Sequence, residues 1–358
     1  MNSRLPFAAT LAVVVCCYTS IWAAPPRSQP GVVRSEFIYE TAPFPSCHAS
    51  TLEETPAGIV AAWFGGTHER HEDVGIWVSR RTNAGWSTPV EVANGVQSAE
   101  LRYPCWNPVL HRAGDGPLTL YYKVGPNPRE WWGMAMHSTD NGVTWSPPTR
   151  LPEGILGPIK NKPIVLPSGR LLSGSSTEHD GWRVHLEMSD NQGKTWTKTP
   201  AINDGQGPGA IQPTLLQTDQ DSILMLCRCR RGGRILSAES KDNGNTWTAL
   251  TAASLPNPNS GIDAVTLADR RHVLIYNHTE DGRSPLNVAV STNGVDWQAA
   301  AVLEEEPGEF SYPAVIQTND GLVHVTYTWH RKRIKYVVLD PAELELRAIT
   351  DGRWPDPS

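Results

Sequence analysis

Long apolar stretches with helical periodicity are scarce in this chain, which sets aside a helical architecture. A basic excess is missing as well. Lys and Arg number 31 against 37 Asp and Glu, a formal charge of −6, the wrong sign for a nucleic-acid surface. Cysteine is sparse: six occur in 358 residues, at no spacing that suggests a zinc site. Cys16 and Cys17 fall in an N-terminal apolar segment, leaving Cys47, Cys105, Cys227 and Cys229. Cys227 and Cys229 lie two apart on a predicted strand, so they share a face and cannot easily bond each other. Buried free thiols are the expectation. What the chain has in quantity is turn formers and large aromatics, with Gly and Pro at 30 each and Trp at 14. That mixture predicts an all-β protein of many short strands.

The N-terminus carries Arg4, an apolar run from Leu5 to Val15, and small residues ending at Ala23 and Ala24. This order is that of a secretory signal peptide. The run is too short for a membrane anchor, and Pro25-Pro26 follows it. Residues 1–24 are expected to be removed near Ala23 or Ala24. The mature protein is then secreted or periplasmic, with no stable membrane anchor.

One segment recurs. Ser138–Trp145, Ser189–Trp196, Ser240–Trp247 and Ser291–Trp297 share a Ser, Asp or Asn, Gly and Trp pattern, and their serines are each 51 residues apart. A weaker copy spans Ser79 to Trp86. Each follows an alternating apolar run, so each predicts a turn between two strands, with Asp or Asn bonding backbone and Gly at positive φ. These copies resemble the Asp box of sialidases and related propellers. In that resemblance the box is a structural turn outside each blade, so its aspartates are not catalytic candidates.

A second repeat counts the blades. Six runs precede the second strand of a unit: Cys47–Leu52, Cys105–Leu110, Asn161–Leu166, Ile211–Leu216, Gly261–Leu267 and Ser311–Ile316. Six units predict a six-bladed β-propeller of four-stranded antiparallel blades around a channel. The propeller is placed at residues 32–345, with blade one beginning near Val32 and a strand at Ile334 to Val338 completing the ring. Beyond Asp340 a cap followed by disorder is expected, with a C-terminal tail at 346–358.

Inner strands line the channel and their starting residues converge on one face. Equivalent positions in the six runs therefore name pocket candidates: His48, Asn107, Lys160 or Lys162, Gln212, Asp263 and Tyr312. Polar residues at a recurrent apolar-flanked position suit a ligand site. A second tier follows each inner strand, with the ionisable loop Trp63–Asp73, the pair Trp131-Trp132, Glu178-His179, Arg228 and Arg230, Arg283, and Trp329 to Arg331. Guanidinium groups pair carboxylates bidentately and aromatic rings stack on apolar sugar faces, a combination suited to an acidic sugar.

Over about Val32 to Asp340 the chain resembles the sialidase superfamily. That resemblance implies three arginines for a substrate carboxylate, a Tyr nucleophile assisted by Glu, and an Asp acid/base. Asp73 stands where the acid/base Asp is expected, Arg228 and Arg283 match the second and third arginines, and Tyr312 in Phe310-Ser-Tyr-Pro matches the nucleophile. Two positions depart. His48, in Cys47-His-Ala, stands in place of the first arginine. Gln212 occupies the place of the activating Glu, and Gln cannot act as a base.

The reading that follows is a secreted exo-acting glycoside hydrolase on a terminal acidic, sialic-acid-like or uronate-linked sugar. Asp73, Tyr312, His48 and Gln212 form its catalytic set. Arg228, Arg283, Asn107, Lys162, Asp263 and Trp132 bind substrate. The alternatives are a polysaccharide lyase on the same fold, with Lys162 assisting, and a non-catalytic glycan-binding propeller. The partner in each case is a glycan or glycoconjugate, and no cofactor is called for.

Overall fold

A computed structural model describes residues 29–356. It is the expected six-bladed β-propeller. The innermost strands are Ser46–Thr55, Cys105–Arg112, Ile164–Val165, Ala210–Gln217, Asp263–Thr266 and Phe310–Gln317, each leading an antiparallel meander. Blade two shows the plan: Cys105–Arg112, Leu118–Val124, Trp132–Ser138 and Thr149–Arg150 follow one another outward. The signal peptide expected at 1–24 lies outside the described residues.

Closure of the ring differs from expectation. Val32–Phe37 does not begin blade one. It pairs antiparallel with Arg333–Leu339 as the outermost strand of blade six, with Val32 opposite Leu339 and Phe37 opposite Lys335. Blade six is thus built from both ends of the chain, so the ring opens only if a strand ladder breaks. The strand expected at Ile334 to Val338 is the third of that blade, not the last. Beyond Asp340 the expected disorder is not seen as far as Asp356. Arg347–Ala348 adds to the outer edge of blade five against Gln298 and Ala299, covering backbone groups that an edge strand would leave unpaired.

Middle strands read as continuous apolar runs because both of their faces are covered by neighbouring blades. Along Leu118–Val124, the side chains of Leu118, Leu120, Tyr122 and Val124 pack with Phe64, Val74 and Ile76 of blade one. Tyr121 points the other way and meets Trp196 of the next blade's turn. The strand period of two divides one segment between two cores. Cys47, Cys105, Cys227 and Cys229 are buried free thiols.

The Asp-box turns form as predicted. Asp140 Oδ1 accepts from Thr144 N at 2.9 Å and from Ser138 Oγ at 2.8 Å, while Asp140 Oδ2 accepts from Thr144 Oγ1 at 2.6 Å. Trp196, Trp247 and Trp297 each donate the indole N–H to the carbonyl of the box glycine. Gly244 has φ +82°, and a Cβ there would lie 2.7 Å from Leu172 Cδ2. Gly244→Ala is therefore expected to cost about 1 kcal/mol or more, from a left-handed backbone and a displaced Leu172. Chemical denaturation checks it, and an unchanged midpoint would show that the turn tolerates a side chain.

At the channel end of four inner strands the ladder is broken by a bulge. Register shifts occur between His48 and Thr51, Trp106 and Val109, Ile211 and Thr214, and Ser311 and Ala314. Ala49, Asn107, Gln212 and Tyr312 there take φ of 56°, 36°, 56° and 53°. Pro108, Pro213 and Pro313 follow the last three; proline donates no N–H, so a bulge accommodates it inside a sheet. Bulges re-aim side chains, and here they do so at the site. The register also corrects one equivalence. His48 matches Trp106, Ile211 and Ser311, and it is Ala49 that matches Asn107, Gln212 and Tyr312.

Candidate active site

Tyr312 is the centre of a buried polar group drawn from three blades. Its Oη accepts from Arg228 Nη1 at 2.6 Å and from Gln212 Nε2 at 3.1 Å. Arg228 Nη1 also reaches Gln212 Oε1 at 3.3 Å, and Arg228 Nε donates to Asn259 Oδ1 at 2.8 Å. Tyr312 and Arg228 are each 8 % exposed. Among the described residues, the hydrogen-bond partners of the Arg228 side chain are all uncharged. No carboxylate is among those partners, so none is hydrogen-bonded to its guanidinium.

Blade one contributes His48, whose ring centroid lies 4.1 Å from that of Tyr312. Burial comes first, then the nearby charges of Arg331, Arg283, Arg228 and Lys160, in holding His48 well below the ordinary imidazole range. The ring is neutral at physiological pH, and its Nδ1 is buried without a hydrogen-bond partner. A neutral imidazole keeps one lone pair for a proton, and the burial and cations that hold it neutral also weaken it as a base.

Higher in the site, Arg283 Nη1 pairs with Glu309 Oε1 at 2.7 Å and reaches Ser311 Oγ at 3.3 Å. Arg331 Nε binds the same carboxylate oxygen at 2.9 Å, and its Nη1 is paired with Glu69. Arg283 lies with its guanidinium carbon 5.7 Å from the Tyr312 ring centroid. Side-chain exposure rises from the buried floor to 21 % for Arg283 and 30 % for Arg331. Three guanidiniums thus surround His48 and Tyr312, the third from blade six rather than blade one.

Asp73 sits on the rim loop. Thr67 donates to it from its backbone N at 3.0 Å and its hydroxyl at 2.6 Å, and His71 Nδ1 lies 2.8 Å from Asp73 Oδ1. Burial pushes its carboxyl up, but the Thr67 and His71 contacts outweigh burial and hold it below the usual carboxylate range. Among the described residues, no hydrogen bond joins Asp73 to the Tyr312 group. Its side chain remains 40 % exposed.

Several named candidates are tied into the scaffold instead. Asp263 accepts from Lys162 Nζ at 3.0 Å, Thr214 Oγ1 at 2.9 Å, Ala264 N at 2.9 Å and Val315 N at 2.9 Å. Lys162 also donates to Ala264 O at 2.8 Å. Asn107 donates to Ile159 O at 3.2 Å. Lys160 bonds Ile262 O, Pro313 O and Asn161. Burial, then Lys162 and Arg228, push it down to about 7 against the pull of Asp263. These residues stitch blades across the channel. Trp132 lies elsewhere, on a separate cleft beside blade two. Of the residues absent from the candidate set, Arg331, Glu309 and Asn259 matter most. Arg331 had shown only in the second tier of loop residues, in Trp329 to Arg331.

The sequence profile of the BNR repeat-like domain family matches residues 58–325. The chain belongs to this family. It is a sialidase-like BNR-repeat propeller. A curated relative, a sialidase from Bacteroides fragilis, is 23 % identical; the match covers 56 % of this chain and 42 % of that protein's length. Among solved structures, the Hadza microbial sialidase Hz136 superposes with a TM-score of 0.71 at 17 % identity, over 84 % of this chain and 66 % of that one. A protein of unknown function from Dyadobacter fermentans gives 0.71 at 17 % identity over 87 % and 99 %. The NanB sialidase of Streptococcus pneumoniae gives 0.70 at 13 % identity over 87 % and 71 %. At such identities the structural likeness is one of fold, so the chemistry of this BNR-repeat propeller is argued from its own site.

Proposed function

We propose that this chain is an exo-acting glycoside hydrolase that removes a terminal sugar bearing a carboxylate. The observation that carries the reading is the convergence of Arg228, Arg283 and Arg331 on Tyr312 and a neutral His48. The guanidiniums hold the sugar carboxylate, Arg228 first because no acid neutralises it directly. Tyr312 Oη attacks the anomeric carbon, and a phenol approaches a centre beside a carboxylate with less repulsion than an acidic side chain would. His48 takes the phenol proton, a task closed to Gln212. Asp73, ionised at rest through its Thr67 and His71 contacts, acts as the acid only once it has taken up a proton, which it passes to the departing glycosidic oxygen and recovers from the water that releases the sugar. Gln212 keeps a positioning role through its bond to Tyr312 Oη.

A release assay on sialylated, uronate-containing and neutral-capped glycans tests this, with Asp73→Asn alongside. Intact acidic sugar should appear and should be lost in the variant. An unsaturated, ultraviolet-absorbing product would replace hydrolysis by elimination, a reading weakened by the engagement of Lys162 with Asp263. Glycan binding without any product would support a second reading, a binding propeller, which Gln212 favours because it supplies no base.

The pH profile gives a further check. A base must be deprotonated to act, so activity is lost as pH falls through its folded-state pKa. Because burial and four cations depress His48, the acid limb of kcat/KM is expected well below pH 6.5. A limb at 6.5 or above would remove His48 from the base role.

A further inference from the structure

A cleft of about 250 Å³ lies between blades two and three, lined by Trp131, Trp132, Arg129, Arg150, His179 and Lys198 among others. We propose that it is a subsite for an anionic sugar residue on the leaving-group side of the scissile bond. This rests on the hydrolase reading of the Tyr312 pocket.

Strand direction places the cleft on the same face as Tyr312. Inner strands begin where their partners end, with Cys105 opposite Val124, Ala210 opposite Cys229 and Phe310 opposite Trp329. The loop from Gly125 to Trp131 and the loop after Thr177 therefore open on the same face of the ring as the start of the strand that carries Tyr312. A continuous line of rings joins the two sites. From Tyr312 to His48 the centroids are 4.1 Å apart, from His48 to Phe64 5.6 Å, from Phe64 to Trp106 6.1 Å, and from Trp106 to Trp131 5.9 Å. Glu178 gives a second link. It sits between the cleft residues Thr177 and His179, and both Arg228 of the pocket and Arg129 of the cleft act on its half-buried carboxyl.

The lining specifies the ligand. Trp131 and Trp132 are half-buried and offer indole surface, which suits the apolar face of a sugar ring. Arg150 lies over Trp132 with its guanidinium carbon 4.7 Å from the ring centroid, a stacking that orients the fork. Among the described residues neither Arg129 nor Arg150 is salt-bridged. Their cationic excess over the single wall carboxylate, Glu153, stands out on a chain of net charge −6. The volume falls just below the roughly 300–1,000 Å³ of small-molecule sites, which suits one sugar residue rather than a longer segment. A carboxylate or a sulfate ester would satisfy the same forks.

The test compares two classes of substrate. One is an aryl glycoside of the terminal acidic sugar, whose uncharged aglycone offers the two arginines no anion. The other is a set of acid-capped oligosaccharides whose second residue carries a carboxylate, a sulfate or neither. In Arg129→Gln/Arg150→Gln, KM for the anionic oligosaccharides should rise at least tenfold, with kcat and the aryl glycoside unchanged. Whichever anionic arm loses more identifies the preferred group. Equal effects on every substrate, or none on any, would overturn the subsite. Titration of the same oligosaccharides into Tyr312→Phe, with and without the two Gln substitutions, separates the two proposals. Arginine-dependent binding in Tyr312→Phe, with no turnover of any substrate by the wild-type protein, supports the cleft and removes the hydrolase. Turnover indifferent to them does the reverse.

Discussion

Replacing Tyr312 by Phe is expected to abolish turnover, by on the order of 10³-fold or more in kcat, as removal of a nucleophile does. Binding should survive. The substitution removes one oxygen, on which Arg228 Nη1 and Gln212 Nε2 converge at 2.6 and 3.1 Å. Arg228 is then free of its phenol partner and is available in full to a ligand carboxylate, so affinity should hold or tighten. Phe fills the same space at the same left-handed φ, so the fold is kept at a cost set by two lost hydrogen bonds. The two stranded donors cost about 1–3 kcal/mol each at most. Steady-state kinetics with calorimetric titration of the product sugar decide the matter. A variant with near wild-type kcat would remove Tyr312 from the chemistry, and one that no longer bound sugar would make it a recognition residue.

The second large effect falls on stability. Asp263→Ala should destabilise the propeller by about 3–5 kcal/mol, the range for breaking one side of a buried pair. Asp263 is 1 % exposed, and its carboxylate gathers Lys162 of blade three, Thr214 of blade four and the backbone N–H of Val315 in blade six. Its loss leaves an ammonium without a counter-charge and a buried N–H without an acceptor. With an unfolding entropy of about 2.1 cal/mol/K per residue, a chain of this size loses roughly 1.4 °C of melting temperature per kcal/mol, so a fall of about 4–7 °C is expected by calorimetry. Lys162→Met, which leaves three donors on the carboxylate, should cost less. A melting temperature unmoved by Asp263→Ala, together with weakened glycan binding, would return the residue to the substrate-binding role that its position in the sequence suggests.

That contrast shows where the sequence was legible. The Asp boxes could be read because Ser138, Asp140, Gly142 and Thr144 bond one another within a few residues, so local chemistry dictates them. The inner-strand runs could be read because a residue before proline at a bulge is a local signature too. Asn107, Gln212 and Tyr312 all carry it, and Tyr312 and Gln212 do meet. What the sequence conceals is partnership at long range. Lys162 and Asp263 looked like pocket residues because they are polar among apolar neighbours, yet each is satisfied by the other across 101 positions. Arg331 joins Glu69 across 262 positions. The strand Val32–Phe37 closes the ring against Arg333–Leu339, a pairing that alternation alone does not assign. The departures His48 and Gln212 were visible as identities, but only packing shows His48 to be buried and neutral.

Three guanidiniums around Tyr312 are expected to select a sugar by its carboxylate. The most direct measurement is the rate of release from one acid-capped glycan and from its carboxyl-reduced counterpart, identical in linkage and remaining sugars. Release from the acid and at least a hundredfold loss on reduction is the predicted result. Equal rates on the two would contradict the account, because nothing in the pocket would then be reading the carboxylate.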